Sequence, residues 1–276
     1  MLTQDEWFKI VCKSYSTNSV FHNGFELPAF PSDEIQSNTT GQAGIKTLEE
    51  AFIFYHDCIE NFKIFGSPIQ KKDFLLDFGV GWGRIARFFL NELPLENIYG
   101  IDVMEDFVEI CRKTFRNDNF QVTTPFPPTR MPSEKFKFIV GYSVFSHLSE
   151  HACASWMREF HRILVPRGIV ALTTRGRPFF DYCESLKGKG HTGYMDALSK
   201  MFDDFSDARI RYDRGEFVHS NRNGVSGGGA MTSEFYGESF IPEKYARTAY
   251  SGLFCLEKFL FDSTRQTHPI MFFRKN

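Results

Sequence analysis

The chain has 276 residues, of which 42% are hydrophobic and 24% are charged. These values exclude a disordered or fibrous protein and allow one large α/β domain or two small ones. A formal net charge of −2 gives no general attraction to the phosphates of nucleic acid, so the composition favours a small-molecule partner.

The cysteines and the amino terminus bear on location. Six cysteines are scattered without a CxxC pair or metal-ligand spacing, which fits reduced thiols. The first residues lack the charged and apolar regions of a signal peptide, and no stretch approaches the roughly 18 apolar residues of a membrane span. The sequence therefore predicts a cytoplasmic protein without a membrane segment or a metal site.

The first 70 residues have the pattern of a cap segment. A short helix is expected from Trp7 to Val11, and residues 28–41 hold prolines and a polar turn. Apolar residues then recur at helical spacing between Leu48 and Phe62. This pattern predicts a covering helix with a surface turn before it.

The chain changes from strand to helix across a glycine turn. An apolar run at residues 74–76 is typical of a strand buried on both faces, and Asp77 closes it. Three glycines follow: Gly79, Gly81 and Gly83. Apolar residues from Ile85 to Leu93 then repeat at helical spacing. Because glycines admit a ligand close to the backbone and a helix start offers free N–H groups, this turn is typical of a nucleotide site.

Asp102 strengthens the prediction of a nucleotide site. It ends a second strand-like run at residues 97–101 and follows Gly83 by 19 residues (102 − 83). A carboxylate at this distance suits hydrogen bonds from the two hydroxyls of a ribose. Strand, turn, helix and second acid together predict a nucleotide-type cofactor.

Further core elements follow in chain order. The pattern predicts a helix over residues 107–115, a brief third strand over 120–123 and, after a proline-rich loop, a fourth strand over 136–142. Ser149 is expected to cap the next helix, and a fifth strand covers residues 169–174.

An insertion and a hairpin follow the fifth strand. Residues 176–250 are rich in Gly, Asp, Arg and aromatic residues, with one amphipathic helix over 194–205 and a mobile-looking glycine loop at 223–229. Insertions of this kind usually carry specificity. The strands at 254–261 and 269–274 are joined by a link too short for a parallel crossover, so they are predicted to pair antiparallel.

The segments around the two acids resemble class I S-adenosylmethionine-dependent methyltransferases. Residues 77–84 are similar to the first motif of that family and residues 99–103 to the second. Residues 161–168 are similar to the loop before the fifth strand, with Arg167 in place of a glycine. The matches cover roughly residues 70–175. They imply an α/β fold with a doubly wound, mostly parallel seven-stranded sheet and an antiparallel C-terminal hairpin.

The resemblance also implies an organisation and a cofactor. It implies a single domain over residues 1–276, with an N-terminal cap over 1–70 and a substrate-covering insertion over 176–250. The cofactor would be S-adenosyl-L-methionine, with Asp77 at its methionyl amino group and Asp102 at its ribose. The other positions matched to the cofactor site are Gly79, Gly81, Gly83, Arg84, Val103, Met104, Thr124, Tyr142 and Ser143.

The acceptor side is less defined by the sequence. His147 follows the fourth strand, where open parallel sheets bind ligands, and is the candidate general base for a weakly acidic acceptor; bracing the next helix fits its position equally. Arg175, Tyr236 and Glu238 are the predicted substrate contacts. The predicted acceptor is a small molecule, and methylation of oxygen, nitrogen or carbon is open.

Three other functions are compatible with parts of the sequence. Gly81, Gly83 and Ala86 satisfy the dinucleotide fingerprint of an NAD(P)-dependent oxidoreductase, although the acid before the glycines and the terminal hairpin do not belong to it. Residues 147–151 match the H-x-x-E-H zinc peptidase signature, which must lie within one helix, whereas here it spans a strand end and a helix cap. The third alternative is a non-catalytic scaffold with this fold.

Overall fold

The structure is a computed structural model that describes residues 2–17, 20–22, 25–222, 224–225, 227 and 229–276. By its internal contacts the chain divides into two compact units, residues 1–123 with 136–140, and residues 124–135 with 141–276. None of the described helices is long and apolar enough to cross a membrane. The single domain over residues 1–276 and the cytoplasmic location stay predictions from the sequence.

The first unit carries four helices and most of six strands among its described residues. Its helices are α1 (Gln4–Thr17), α2 (Asp33–Thr40), α3 (Ile45–Ile64) and α4 (Glu105–Phe115). Its strands are β1 (Phe21–His22), β2 (Phe25–Glu26), β3 (Leu75–Phe78), β4 (Ile98–Asp102), β5 (Phe120–Val122) and β6 (Phe136–Gly141).

The second unit contains the remaining described elements. Its helices are α5 (Glu150–Ile163), α6 (Pro178–Ser185), α7 (Gly193–Ser199), α8 (Phe205–Arg214) and α9 (Glu243–Ala249). Its strands are β7 (Leu164–Thr173), β8 (Val218–Ser220), β9 (Glu238–Phe240), β10 (Phe254–Leu260) and β11 (Ile270–Lys275). As the sequence predicts, Ser149 caps α5, with its side chain accepting a hydrogen bond from Ala152 N.

Seven of the described strands form one sheet in the order β10-β11-β7-β6-β3-β4-β5. Strand β3 pairs parallel with β4 and β6, and β4 pairs parallel with β5. Strand β11 pairs antiparallel with β10 and with β7. The predicted mostly parallel seven-stranded sheet with an antiparallel C-terminal hairpin is confirmed.

Aromatic side chains fill the core of the first unit. Phe62 of α3 stacks on Phe138 of β6 with ring centroids 4.5 Å apart, and Tyr55 stacks on Phe88 at 5.7 Å. These four side chains are at most 1% exposed. The chain has 32 phenylalanines, and many of them are buried as these are, so much of this content serves core packing.

The segment after the glycine turn is not the regular helix that the spacing predicts. It runs through turns into a 3₁₀ helix, Phe88–Asn91. The carbonyl of Phe88 accepts the indole N–H of Trp7 at 2.8 Å, and Glu92 N donates instead to the carbonyl of Phe89. Because a tertiary hydrogen bond occupies the carbonyl that an α-helix would use, the tighter i→i+3 pattern replaces it here.

The insertion also differs from its prediction. The single helix predicted over 194–205 is two helices, α7 and α8, because the Asp204 side chain accepts a hydrogen bond from Ser206 N and starts a new helix. Within the insertion, Phe180 and Phe240 stack at 3.8 Å in an apolar core of their own. Of the predicted glycine loop, residues 223, 226 and 228 lie outside the described residues.

Arg167 stands where the resembling family has a glycine, near the start of β7. Its φ is 58°, in the left-handed region that glycine favours. The departure from the family pattern therefore keeps the glycine-like backbone conformation.

Candidate functional site

The glycine turn after β3 is fixed by two carboxylates of the first unit. Ala86 N donates to Asp77 Oδ2 at 2.9 Å. Asp102 accepts from Gly81 N through Oδ2 and from Met104 N through Oδ1, each at 2.9 Å. Strands β3 and β4 are parallel neighbours, so the turn and both acids lie at the same edge of the sheet.

Asp77 is fully buried, and one of its oxygens has no hydrogen-bond partner. No residue that the structure describes donates to its Oδ1. Burial raises the pKa of Asp77 to about 7, against the opposing hydrogen bond from Ala86 N. An unsatisfied buried carboxyl oxygen is costly, and an ammonium group at this oxygen would satisfy it. Asp77 thus fits the predicted contact with the methionyl amino group of the cofactor.

The Asp102 side chain is likewise held by backbone N–H groups, but it is partly exposed. Burial raises its pKa, while the N–H groups of Met104 and Gly81 lower it. Each carboxylate oxygen has two lone-pair directions, so each can accept a further hydrogen bond beside the one from the backbone. The side chain therefore fits the predicted contact with two ribose hydroxyls. Val103 and Met104, two further predicted cofactor contacts that follow β4, are also partly exposed.

The predicted glycines of the turn are in different surroundings. All three have positive φ: 70° at Gly79, 50° at Gly81 and 83° at Gly83. A Cβ at Gly81 would meet no atom within 4 Å, whereas one at Gly83 would lie 2.4 Å from the ring of Phe115. Gly81 therefore leaves space that a ligand can use, and Gly83 allows α4 to pack against the turn.

Arg84 is buried with its guanidinium turned toward α3. Its Nη1 donates to Thr47 Oγ1 at 2.8 Å and to Glu50 Oε2 at 2.7 Å. These bonds tie the N-terminal part of α3 to the glycine turn. A direct role of Arg84 at the cofactor stays a prediction.

The remaining predicted cofactor contacts belong to the second unit. Thr124 is exposed and donates to the carbonyl of Phe126. The Tyr142 ring is nearly buried beside His268, with centroids 5.4 Å apart. Ser143 has a φ of 60°, held by a 2.7 Å hydrogen bond from its N–H to a threonine of β7. Such a backbone conformation is uncommon outside glycine and clusters at functional sites. A part for these three residues in cofactor binding stays a prediction.

His147 is oriented from two sides in the second unit. Its Nδ1 lies 2.9 Å from the carbonyl oxygen of Gly237 and 3.1 Å from Glu238 Oε1. Both neighbours are acceptors, so the proton of the neutral ring is assigned to Nδ1 and the lone pair to Nε2. The ring stacks on Tyr236 at 4.8 Å with an interplanar angle of 2°. No described residue hydrogen-bonds Nε2, which is therefore available as a base.

Glu238 is the centre of this cluster. It is fully buried, and its Oε2 accepts a hydrogen bond from Arg175 Nε at 2.8 Å. Burial raises the pKa of Glu238, but the charge of Arg175 and the hydrogen bond from His147 outweigh it and hold the pKa at about 2. Tyr194 also donates its hydroxyl to Oε1. The carboxylate therefore stays ionised and touches only groups of its own unit, among the residues described.

Arg175 uses most of its donors within the same cluster. Besides Glu238, its Nη1 lies 2.7 Å from His268 Nε2, and its guanidinium lies over the Phe179 ring at 4.1 Å. The nearby Arg177 forms an exposed ion pair with Asp213. The structure thus brings together the four predicted acceptor-side residues: His147, Arg175, Tyr236 and Glu238.

The H-x-x-E-H signature does not have the geometry of a zinc peptidase. His147 precedes the cap residue Ser149, whereas His151 lies in the exposed first turn of α5, which begins at Glu150. Two histidines in different backbone conformations do not project from one helix face to one metal ion.

Sequence reasoning missed two members of the cluster, Tyr194 and His268. Tyr194 contacts Glu238, 44 positions away in the chain, and His268 contacts Arg175, 93 positions away. No local pattern marks either residue, because their neighbours in sequence belong to a short helix and a loop.

Comparisons with known proteins bear on the domain and the fold. Residues 75–168 match the family described as a methyltransferase domain. The chain is 22% identical over 157 residues to malonyl-[acyl-carrier protein] O-methyltransferase 2 of Ilyobacter polytropus, covering 56% of this chain and 60% of the relative. It is 29% identical over 106 residues to an uncharacterized methyltransferase of Oceanobacillus iheyensis, covering 37% and 46%. The chain thus spans less than two thirds of the length of these curated relatives.

Solved structures with low sequence identity share the fold. An S-adenosylmethionine-dependent methyltransferase from Mesorhizobium loti is 11% identical with a TM-score of 0.53, covering 78% of this chain and 96% of that one. A protein from Pyrococcus horikoshii is 14% identical with a TM-score of 0.50, covering 80% and 91%. Over residues 75–168 this chain is thus similar to a methyltransferase domain, and it shares its fold with these solved structures.

Proposed function

We propose that the protein transfers a methyl group from S-adenosyl-L-methionine to a small-molecule acceptor. The observation that carries this proposal is the partnerless Oδ1 of buried Asp77, beside the turn that Asp102 anchors. When bound, S-adenosyl-L-methionine supplies an electrophilic methyl group on a sulfonium. Transfer by direct displacement needs no covalent nucleophile, so the protein contributes mainly positioning and exclusion of water.

The residues of the first unit would hold the cofactor. Asp77 would accept from the methionyl amino group, and Asp102 would accept from the ribose hydroxyls while its backbone bonds keep it in place. Gly81 would admit the ligand close to the backbone, since its Cβ position is open.

The residues of the second unit would prepare an acceptor hydroxyl. His147 Nε2 would take the hydroxyl proton, and the resulting imidazolium would keep its Nδ1–H on Glu238 Oε1, 3.1 Å away. Glu238 is buried, so we assign it a positioning and charge-stabilising role in place of the substrate contact expected from the sequence. Tyr236 would fix the plane of the ring by stacking.

A small acceptor is supported by the charge and by the insertion. The net charge of −2 gives no general attraction to the phosphates of nucleic acid. Helices α6 to α9 lie between β7 and β10 in the chain, where an insertion typically shapes an acceptor site. The low charge also fits an acceptor that is not a polyanion.

Calorimetric titration with S-adenosylhomocysteine tests the proposal, with NADH as the competing ligand. We expect binding of S-adenosylhomocysteine alone. Asp102→Ala should weaken it by about 1–3 kcal/mol through loss of charge-assisted hydrogen bonds. The exposed Asp106 in the first turn of α4 provides the matched control, Asp106→Ala. Binding of NADH alone, or equal effects of the two variants, would contradict the proposal.

A further inference from the structure

The segment from Asp77 to Arg87 holds three buried side-chain atoms that no described residue hydrogen-bonds. They are Asp77 Oδ1, Trp82 Nε1 and Arg87 Nε. The Trp82 and Arg87 residues are each 1% exposed. Buried polar atoms without a partner are rare and costly in folded proteins. The first atom is an acceptor and the other two are donors, so a ligand that satisfied all three would donate to one and accept from two.

Arg87 is a buried cation without an anion among the described residues. Its Nη1 and Nη2 donate to the backbone carbonyls of Pro28 and Ala29, and its guanidinium lies 3.8 Å from the centroid of the Phe30 ring. Burial lowers the pKa of Arg87 to about 9, so the side chain is still charged at neutral pH. Carbonyl groups and ring faces stabilise a cation only in part, and a buried charge is normally paired with an opposite one.

Trp82 and Arg87 lie beside each other at the glycine turn. The Arg87 guanidinium is 5.7 Å from the centroid of the Trp82 ring, and Arg87 N donates to the carbonyl of Gly83 at 3.1 Å. Trp82 follows Gly81, where a Cβ would meet no atom within 4 Å. The turn therefore has open space one residue before the unpartnered indole N–H.

Asp77 and Arg87 belong to the same cluster of charges. Asp77 Oδ2 accepts from the N–H of Ala86, the residue before Arg87. The Cys111 thiol lies 3.2 Å from the Gly81 carbonyl oxygen and is influenced by both charges. Burial raises the pKa of this thiol, Asp77 raises it further, and Arg87 lowers it. One anionic and one cationic side chain therefore flank the glycine turn, and each has an unpartnered atom.

The amino-acid end of S-adenosyl-L-methionine carries the complementary groups. Its ammonium donates, its carboxylate accepts, and both are bonded to one carbon. We propose that Trp82 Nε1–H and Arg87 Nε–H bind the carboxylate of the cofactor while Asp77 accepts from the ammonium. This inference rests on the methyl transfer proposed above. Neither Trp82 nor Arg87 is among the cofactor contacts predicted from the sequence, and the carboxylate supplies the anion that the buried guanidinium lacks.

A purely structural role of Arg87 predicts a different result. If Arg87 only anchors residues 28–30 through the two carbonyls, its substitution should weaken every adenosine ligand alike. If it binds the carboxylate, the loss should fall only on ligands that carry one.

Calorimetric titration of the full chain with a matched pair of ligands makes this distinction. The pair is S-adenosylhomocysteine and 5′-deoxy-5′-(3-aminopropylthio)adenosine, which lacks only the carboxylate and keeps the amino group that Asp77 would contact. We expect the unchanged protein to bind S-adenosylhomocysteine about 10- to 100-fold more tightly, since charge-assisted hydrogen bonds are lost with the carboxylate. Equal affinities would overturn the inference.

Two variants assign this ratio of affinities to residues. Trp82→Phe keeps an aromatic ring and removes the N–H, so it should reduce the ratio about three- to tenfold and leave the affinity for the aminopropyl analogue unchanged. Arg87→Gln should reduce the ratio about tenfold or more. Arg116→Gln is the control, since the Arg116 side chain is 78% exposed and pairs with Glu26. The same ratio in Trp82→Phe and the unchanged protein would overturn the inference, even if Arg87→Gln does not fold.

The carboxylate assignment and the methyltransferase proposal fail separately. If both ligands bind equally well, the methyltransferase proposal stands and the carboxylate assignment is wrong. If neither ligand binds, the methyltransferase proposal itself is wrong, and the carboxylate assignment falls with it.

Discussion

Oε1 of the fully buried Glu238 carboxylate lies 3.1 Å from Nδ1 of His147. The contact does two separable things. It selects the ring tautomer with a free Nε2, and it places a negative charge beside the imidazolium that proton uptake would create.

Glu238→Gln separates these two effects. The amide oxygen can still accept from Nδ1, as can the Gly237 carbonyl, so nitrogen-15 NMR should show the same tautomer of His147. The lost charge should lower kcat about 10- to 100-fold with little change in KM, whereas His147→Gln should lower kcat about 10²- to 10⁴-fold. Arg177→Gln, at an exposed ion pair, is the control. An unchanged kcat in folded Glu238→Gln would leave the carboxylate a structural role only.

Gly81 and Gly83 should separate ligand binding from packing. Gly83→Ala places a Cβ 2.4 Å from the Phe115 ring at a φ of 83°, so we expect it to lower the free energy of unfolding by about 2–4 kcal/mol. Gly81→Ala meets no atom and adds only backbone strain of roughly 1–2 kcal/mol, but should strongly weaken S-adenosylhomocysteine binding. Urea unfolding and calorimetry measure the two effects. Equal loss of stability in both variants would contradict this division.

Cofactor binding should depend on the protonation of Asp77. Its pKa is about 7, so below that pH a proton competes with the amino group of the ligand. We expect the affinity for S-adenosylhomocysteine to rise about tenfold per unit from pH 5 toward 7 and to level off above it. Asp77→Asn should bind weakly and without this pH dependence. The same slope in Asp77→Asn would assign the proton to another group.

The stability of the cofactor-free protein should respond to Asp77 in the opposite direction. A carboxyl whose pKa is raised by folding contributes stability that is present below about pH 4 and lost as the pH rises through about 7. Asp77→Asn has no carboxyl group to ionise, so the variant does not lose this stability at high pH. Its amide oxygen can still accept the hydrogen bond from Ala86 N. At pH 8 the variant should therefore be more stable by on the order of 1–3 kcal/mol, and at pH 4 it should show no such gain.

Urea unfolding at pH 4 and pH 8 measures this difference, with Asp106→Asn as an exposed control. If Asp77→Asn is destabilised equally at both pH values, the buried carboxyl is not protonated in the folded protein near neutral pH.

The glycine turn was predictable from the sequence because all of its determinants are local. An apolar run, an acid, spaced glycines and a second acid define adjacent parallel strands, and the structure joins them by bonds from Gly81 N and Ala86 N to Asp102 and Asp77. The hairpin was predictable for the same reason, since its short link allows only antiparallel pairing.

Tertiary structure decided the features that periodicity does not carry. The indole N–H of Trp7 donates a hydrogen bond to the carbonyl of Phe88, 81 positions away in the chain. The segment with a helical pattern forms a 3₁₀ helix there. Arg84, inside the family motif, bonds to residues of α3 because burial requires a partner for its charge.

The acceptor-side cluster depends on tertiary structure most of all. Glu238 contacts Arg175, which lies 63 positions away in the chain, and Tyr194, which lies 44 positions away. No short stretch of the sequence therefore contains Glu238 together with either partner. The residue types could be named beforehand, but burial decided their partners: a buried carboxylate must be paired, and Glu238 is paired with Arg175 and with His147. Short-range patterning determined the parallel strands and the glycine turn, whereas the need to satisfy buried charge determined the arrangement around His147.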